Sequence, residues 1–171
     1  MAVGRDGDRG VLIRLLIWVR LPGQLHHEDG KMRKIQGFRG EYRFLSNFWA
    51  SEVKYDFVKY PTVEHAYQAS KTMDLGERRL IGAQETPGNA KRLGKNITLR
   101  EDWDDFKIKI MFNLLLQKFQ HEQLKHELLE TRGTYIEETN VWGDTFWGVC
   151  DDKGSNILGI MLMRIRDHRL S

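Results

Sequence analysis

Three stretches of the chain combine residue types that can do chemistry. In the first, Glu64, Gln68 and Lys71 stand at i, i+4 and i+7. On a helix those positions lie within about 60° of one another, and Ala66, Ala69 and Met73 take the opposite side. A carboxylate, an amide and an amine so aligned can exchange protons and hold a polar ligand, although the same stripe on an arbitrary helix is a solvated face. The second stretch is Phe44-Leu-Ser-Asn-Phe-Trp49, where Ser46 and Asn47 sit among aromatic rings and a buried amide would need a partner or a ligand. The third, Glu138-Thr-Asn-Val-Trp-Gly-Asp-Thr-Phe-Trp-Gly148, holds two acids and two indoles beside glycines that permit close backbone approach. Trp142 and Trp147 either stack on a flat heterocycle or pack into the core with Asp144 as a turn residue.

These residues need elements to position them. Aromatic and β-branched residues alternate with polar ones from Ile35 to Tyr60, with breaks at Gly37, Gly40 and Asn47, which predicts short strands with tight connections. Thr62 is an N-cap for a helix of about three turns over Val63 to Met73, and a second short helix is expected over Glu77 to Ala83. Thr86-Pro87 opens another helix that Gly94 closes. Asp102 is expected to cap a helix with Trp103, Phe106, Ile110 and Leu114 on one stripe, followed by a second helix through Leu124 and Leu128 to Gly133. Tyr135 to Glu138 and Thr145 to Val149 are expected as strands, and Asn156 as the cap of a last, largely buried helix with the basic tail Arg164, Arg166 and Arg169. The sum is an α+β, helix-dominated single domain with a small antiparallel sheet.

Several chemistries are excluded. The glycines Gly88 and Gly94 are six apart instead of five and Asn96 stands where a phosphate loop requires Ser or Thr. The start of that helix, with Lys91, Arg92 and Lys95 nearby, reads either as a site for one phosphate or as a solvated basic helix. His121 and His126 are five apart, His26 and His27 lie near the N-terminus and His168 near the C-terminus, so no metal cage emerges. A lone His65 is ordinarily a packed, hydrogen-bonded side chain.

The whole chain sets the frame. Its 171 residues are 40% apolar and 30% charged, enough for one core without disulfide or structural metal. The single cysteine, Cys150, forms no internal disulfide, and a reducing, cytoplasmic setting is expected. Of 27 basic and 24 acidic residues, 5 and 4 fall in Met1 to Lys31, so the remainder carries no concentrated basic face for duplex binding. Val11 to Leu21 is interrupted by Arg14 and Arg20, too short to span a membrane and lacking a cleavage site behind it. Residues 1–31 are expected to be an extension, with Met32 an alternative start, and 32–171 the domain.

Taken in order, Phe44-Leu-Ser-Asn-Phe48, Val63-Glu-His65 with Gln68-Ala69 and Lys71, Trp103, Glu138 with Asp144 and Trp147-Gly148, and Gly154-Ser-Asn-Ile-Leu-Gly159 resemble the NADAR, or YbiA-like, superfamily from about Gln36 to Arg166. The resemblance implies a YbiA-like fold and an N-glycosidase acting on ribosyl–nitrogen bonds. Its substrates would be ribosylaminopyrimidine phosphates of early riboflavin biosynthesis or ADP-ribosylated guanine in nucleic acid. It implies Glu64, Lys71 and Asp144 as catalytic residues. The carboxylates would steady an oxocarbenium-like ribose and protonate the leaving amine, and Lys71 would either trap the opened sugar as a Schiff base or orient Glu64. Ser46, Asn47, His65, Gln68, Lys91, Trp103, Glu138, Trp147, Gly148 and Asn156 would bind substrate, with Trp103 or Trp147 stacking on the base. No cofactor, metal, membrane or obligate protein partner is implied. The stretch Asn140-Val-Trp-Gly before Asp144 departs from the commonest pattern, so base-side contacts and substrate stay open. A non-catalytic binder of ADP-ribose or a related nucleotide, and an interaction domain using the helical region Asp102 to Arg132, are the competing classes.

Overall fold

The computed structural model describes residues 33–170, so the expected extension 1–31, the start at Met32, the run Val11 to Leu21 and His26 and His27 lie outside the described residues. Strand β1 (Lys34–Gln36) pairs in parallel with β4 (Tyr135–Glu137), Ile35 opposite Ile136, and the Lys34 ammonium meets the Glu137 carboxylate at 2.8 Å. β2 (Ala50–Tyr55) and β3 (Val58–Thr62) form an antiparallel hairpin with a register irregularity between Ala50 and Val53. The expected antiparallel sheet is therefore present, accompanied by a parallel pair that joins residues a hundred positions apart. Parallel pairing requires a long crossover, and nearly the whole helical body supplies it.

Residues 40–45, expected as strand, form a 3-10 helix that buries Phe44 and Leu45. Thr145 to Val149 is likewise no strand; Val149 makes only an isolated bridge to Thr139. In both stretches the aromatic alternation reflects side chains that pack on a core without a neighbouring strand to pair with.

Helix α1 (Val63–Ala69) begins where β3 ends: Thr62 is the last strand residue, and its hydroxyl accepts from the His65 backbone N–H at 3.2 Å. All seven residues of α1 are buried, because α2 (Leu75–Gly82), α3 (Pro87–Leu93), α4 (Trp103–Lys118) and the hairpin pack around it. The helix stops four residues earlier than Met73. The Ser70 hydroxyl turns back to the Tyr67 carbonyl at 2.7 Å, and Met73, expected on the packed face, is 64% exposed. Lys71 thus lies in the turn that follows.

Asp102 precedes α4 without capping it, its carboxylate being engaged by Arg100. Phe106, expected on the buried stripe, is half-exposed, and Ile108 takes the core position with Ile110, Met111, Leu114 and Leu115. α5 (Glu122–Glu130) and α6 (Ile157–His168) complete the body. The Arg166 of the expected basic tail is fully buried: its Nη1 donates to the carbonyls of Thr131 (2.8 Å) and Thr134 (2.9 Å), tying α6 to the end of α5. Asn156 precedes α6 in a left-handed conformation (φ +49°) and sends its side chain to β4 instead of capping. Among the described residues no helix is long and apolar enough to cross a membrane.

Candidate functional site

A cavity of about 300 Å³ opens where α1, the start of α4, the loop after the 3-10 helix and the loop 138–147 meet. It is lined by Glu64, Gln68 and Lys71 from the first chemical stretch, Asn47 from the second, and Glu138, Asp144 and Trp147 from the third, with Lys91 and Trp103 beside them. Residues up to 100 positions apart therefore share one wall.

Local chemistry explains each placement. The Glu64 backbone N–H donates to the Asn47 carbonyl at 3.0 Å, which locks the 46–47 loop over the start of α1. One turn on, Gln68 Nε2 donates to Glu64 Oε1 at 2.8 Å. Gly94 lies so close that a Cβ there would meet Gln68 Oε1 at 2.1 Å, so only glycine lets α3 end against this amide. On the opposite wall, Asp144 Oδ1 accepts the backbone N–H groups of Phe146 (3.0 Å) and Trp147 (2.9 Å), an Asx turn that fixes both the carboxylate and the indole.

The carboxylates are crowded and dry. Burial pushes the Glu64 carboxyl above its ordinary range, opposed by Gln68, Lys91 and Lys71 and reinforced by Asp144. Burial, with the nearby charges of Asp144 and Glu64, raises Glu138 to about 7 against the pull of Lys91. Lys71 moves the other way, its ammonium disfavoured by burial and by Lys91 and Lys95, while Glu64 resists the shift. Its Nζ faces the rings of Tyr67 (5.8 Å to the centroid) and Trp103 (6.0 Å). Tyr67 in turn packs on Trp103 (5.1 Å between centroids) and edge-on against Trp147 (5.6 Å), so the three rings form one aromatic wall.

Four buried side-chain oxygens among the described residues have no hydrogen-bond partner within the protein, and three of them, Asn47 Oδ1, Gln68 Oε1 and Glu138 Oε2, belong to residues that line this cavity. Such groups are ordinarily paired, because an unmade hydrogen bond leaves a desolvation penalty of about 1–3 kcal/mol. Gln68 Oε1 is turned against Gly94, which leaves Asn47 Oδ1 and Glu138 Oε2 as the unpaired oxygens at this wall.

Other residues singled out in the sequence do not line the cavity; they build it. The Ser46 hydroxyl accepts from the Phe48 backbone N–H (3.1 Å), and its carbonyl accepts from the Lys118 ammonium (2.7 Å). His65 points away: its Nε2 lies 3.0 Å from the Gln84 carbonyl, which can only accept, so Nδ1 accepts from the Thr62 hydroxyl at 2.8 Å. A Cβ on Gly148 would strike the Glu138 carbonyl, so this glycine lets the Glu138 backbone approach. Asn156 Oδ1 accepts from the Glu138 backbone N–H (3.0 Å), and its Nδ2 donates to the Ile136 carbonyl (2.9 Å). Of Lys91, Arg92 and Lys95 only Lys91 lines the cavity; Arg92 is engaged by Asn89.

Sequence reasoning missed Tyr67, Asp104, Lys107, Met111, Phe146 and Leu158 in the lining. Tyr67 carried a usable signal: it stands three residues after Glu64 and four before Lys71, on the same helical face. Lys107 stands four after Trp103 and pairs with Asp104 at 2.8 Å.

The chain is 36% identical over 131 residues to N-glycosidase YbiA of Escherichia coli (strain K12), covering 74% of this chain and 81% of that protein. It is 38% identical over 133 residues to N-glycosidase Npun_R5314 of Nostoc punctiforme, covering 74% and 85%. Riboflavin biosynthesis protein VVA0006 of Vibrio vulnificus is 34% identical over 128 residues, 72% of this chain but 35% of that longer protein. The NMR structure of E. coli YbiA superposes with a TM-score of 0.72 at 33% identity, over 81% of this chain and 86% of that one. The NADAR domain model matches residues 36–169, and the chain belongs to the NADAR domain family.

Proposed function

We propose that the chain is an N-glycosidase that hydrolyses the bond between the anomeric carbon of a ribosyl group and the nitrogen of an attached base. The observation that carries this is the set of three carboxylates, Glu64, Glu138 and Asp144, around one aromatic-walled cavity at which Asn47 Oδ1 and Glu138 Oε2 have no protein partner. The names of the relatives, two N-glycosidases and a riboflavin biosynthesis protein, support the class.

The roles follow from protonation. Bond cleavage needs a proton on the departing nitrogen and negative charge near the oxocarbenium-like C1. A carboxyl raised to about 7 is a proton donor at neutral pH, and this role falls to Glu138, with an oxygen that no protein group engages. Asp144, fixed by two backbone N–H groups, supplies charge beside C1. Glu64, aligned by Gln68, takes the proton of the attacking water, whose oxygen forms the new bond to C1 as the C1–N bond breaks. Asn47 accepts a ribose hydroxyl, Gln68 holds Glu64 in place, and Trp103 or Trp147 stacks on the base.

The dry setting of Lys71 favours a second route for the same bond. Its neutral amine adds to C1 of the ring-opened sugar, the base nitrogen leaves as the free amine, and water then hydrolyses the Lys71 imine to release ribose. Borohydride added during turnover separates the two: a reduced sugar adduct on Lys71 marks the imine route, and unmodified protein with active turnover marks direct hydrolysis.

Two substrate types fit, ribosylaminopyrimidine phosphates and ADP-ribosylated guanine, and mass spectrometry on a panel of both tests the proposal. Release of free base and sugar from at least one is expected; binding of the nucleotides without product over long incubation would instead make the chain a nucleotide-binding module. The reading involves no cofactor, no membrane and no obligate protein partner.

A further inference from the structure

The turn 140–144 is built around one buried amide. Asn140 is 2% exposed, its Oδ1 accepts the backbone N–H groups of Trp142 (3.3 Å) and Asp144 (3.1 Å), and its Nδ2 donates to the Asp144 (2.7 Å) and Val149 (3.3 Å) carbonyls. Gly143, at φ +82°, completes the reversal. What this well-tied turn displays to solvent is apolar: Val141 is 83% exposed and Trp142 59%. The inner cavity does not use the Trp142 indole.

Trp142 has company. The Lys91 ammonium lies 5.4 Å from the centroid of its ring and 5.9 Å from that of Phe48, itself 38% exposed. Lys91 lines the inner cavity, as do Asn47, next to Phe48, and Asp144, two residues beyond Trp142. Two partly exposed rings with a cation between them therefore stand beside the cavity wall.

We propose that Trp142, Phe48 and Lys91 form an outer subsite for a second planar ring, which the substrate carries beyond its ribosyl group through a phosphate link. This rests on the N-ribosyl reading above. Exposed aromatic faces take any base, because every base offers a π-face, and an ammonium beside them pairs with phosphate. Charge directs the link to this place: Glu64 and Asp144 repel a phosphate from the interior, and Lys91 attracts it at the rim. Size points the same way. A cavity of about 300 Å³ is at the small end of ligand pockets, sufficient for a sugar and one ring, so a further ring must lie outside it.

Two sources carry this chemistry, the adenylyl half of an ADP-ribosyl group and a neighbouring nucleotide of a strand. The test titrates the full chain, by tryptophan fluorescence and calorimetry, with ribose 5-phosphate, ADP-ribose and a guanine–adenine DNA dinucleotide. A ring-bearing probe is expected to bind about tenfold more tightly than ribose 5-phosphate. Trp142→Ala should abolish that advantage, and Trp142→Phe should restore most of it. An advantage for ADP-ribose assigns the ring to the sugar side; one for the dinucleotide alone assigns it to the base side. Equal binding of all three probes, or an equal loss for all three in Trp142→Ala, overturns the subsite. If ribose 5-phosphate fails to bind while a Trp142-dependent affinity persists, the N-ribosyl reading falls and the subsite stands; if nothing binds, both fall.

Discussion

Glu138 carries conflicting demands. Burial and two neighbouring carboxylates hold its proton on to about pH 7, well above an ordinary glutamate, which suits a proton donor and costs the fold. Because the active form has Glu138 protonated and Glu64 ionised, kcat/KM should reach its plateau once Glu64 ionises and fall as pH rises through about 7. Glu138→Gln should lower the plateau about a hundredfold and remove that alkaline limb, read from a pH–rate profile. Stability follows pH in the same direction. The folded state binds the Glu138 proton more tightly than the unfolded chain does, so its ionisation removes stability as pH rises from about 4.5 to about 7. The amide variant escapes this loss and should be more stable at pH 8, by on the order of 2 kcal/mol in a urea titration. A variant that loses both activity and stability would show that the carboxylate is structural.

At the scale of elements, the site depends on how loops are pinned to helices. Lys118, at the end of α4, is fully buried, and its ammonium holds the Ser46 carbonyl at 2.7 Å, one residue before Asn47 enters the cavity. Burial lowers this lysine to about 7. The folded state thus releases a proton that the unfolded chain still holds, and the Lys118 contribution to stability should grow as pH rises from 7 towards 10. Urea unfolding of the wild type and Lys118→Met at pH 7 and pH 9 should show the difference between them changing by about 2 kcal/mol in favour of the lysine; a difference that does not vary with pH would contradict this. The β2–β3 hairpin turns on Asp56 (φ +49°) and Phe57 (φ +65°), neither of them glycine, and Phe57 is 99% exposed. Left-handed backbone costs a non-glycine residue about 1–2 kcal/mol, and Phe57 has no packing to lose. Phe57→Gly should therefore stabilise the chain by about 0.5–1 kcal/mol, measured by thermal unfolding.

Those same elements mark where the sequence was legible. The α3 helix was readable from Thr86, Pro87 and Gly94 because capping is local chemistry, and the α4–α5 pair because its apolar period is long. The 3-10 helix over Gly40–Leu45 was not, since its aromatics alternate as a strand's would and only tertiary packing decides between the two. Nor was the early end of α1, which a single Ser70 hydroxyl sets.

For the whole molecule, the parallel β1–β4 pair and the Arg166 clamp bring the last third of the chain against the first, and this closure carries Glu138 and Asp144 to Glu64 and Lys71. The convergence of Glu64, Gln68, Lys71, Asp144 and Trp147 was foreseeable only through the ordered motifs of the family, because no local rule links residues 64 and 144. His65 and Asn156 belong to the same motifs yet face away from the cavity, since a motif marks residues that build a site as readily as those that touch the ligand. The central claim is that these carboxylates break a ribosyl–nitrogen bond, and the most direct measurement is base release by the wild type and Glu64→Gln, followed by mass spectrometry on the better of the two substrate types. The wild type should turn over, and the amide variant, folded by circular dichroism, should be slower by about two orders of magnitude. Equal rates in the two proteins would contradict the account.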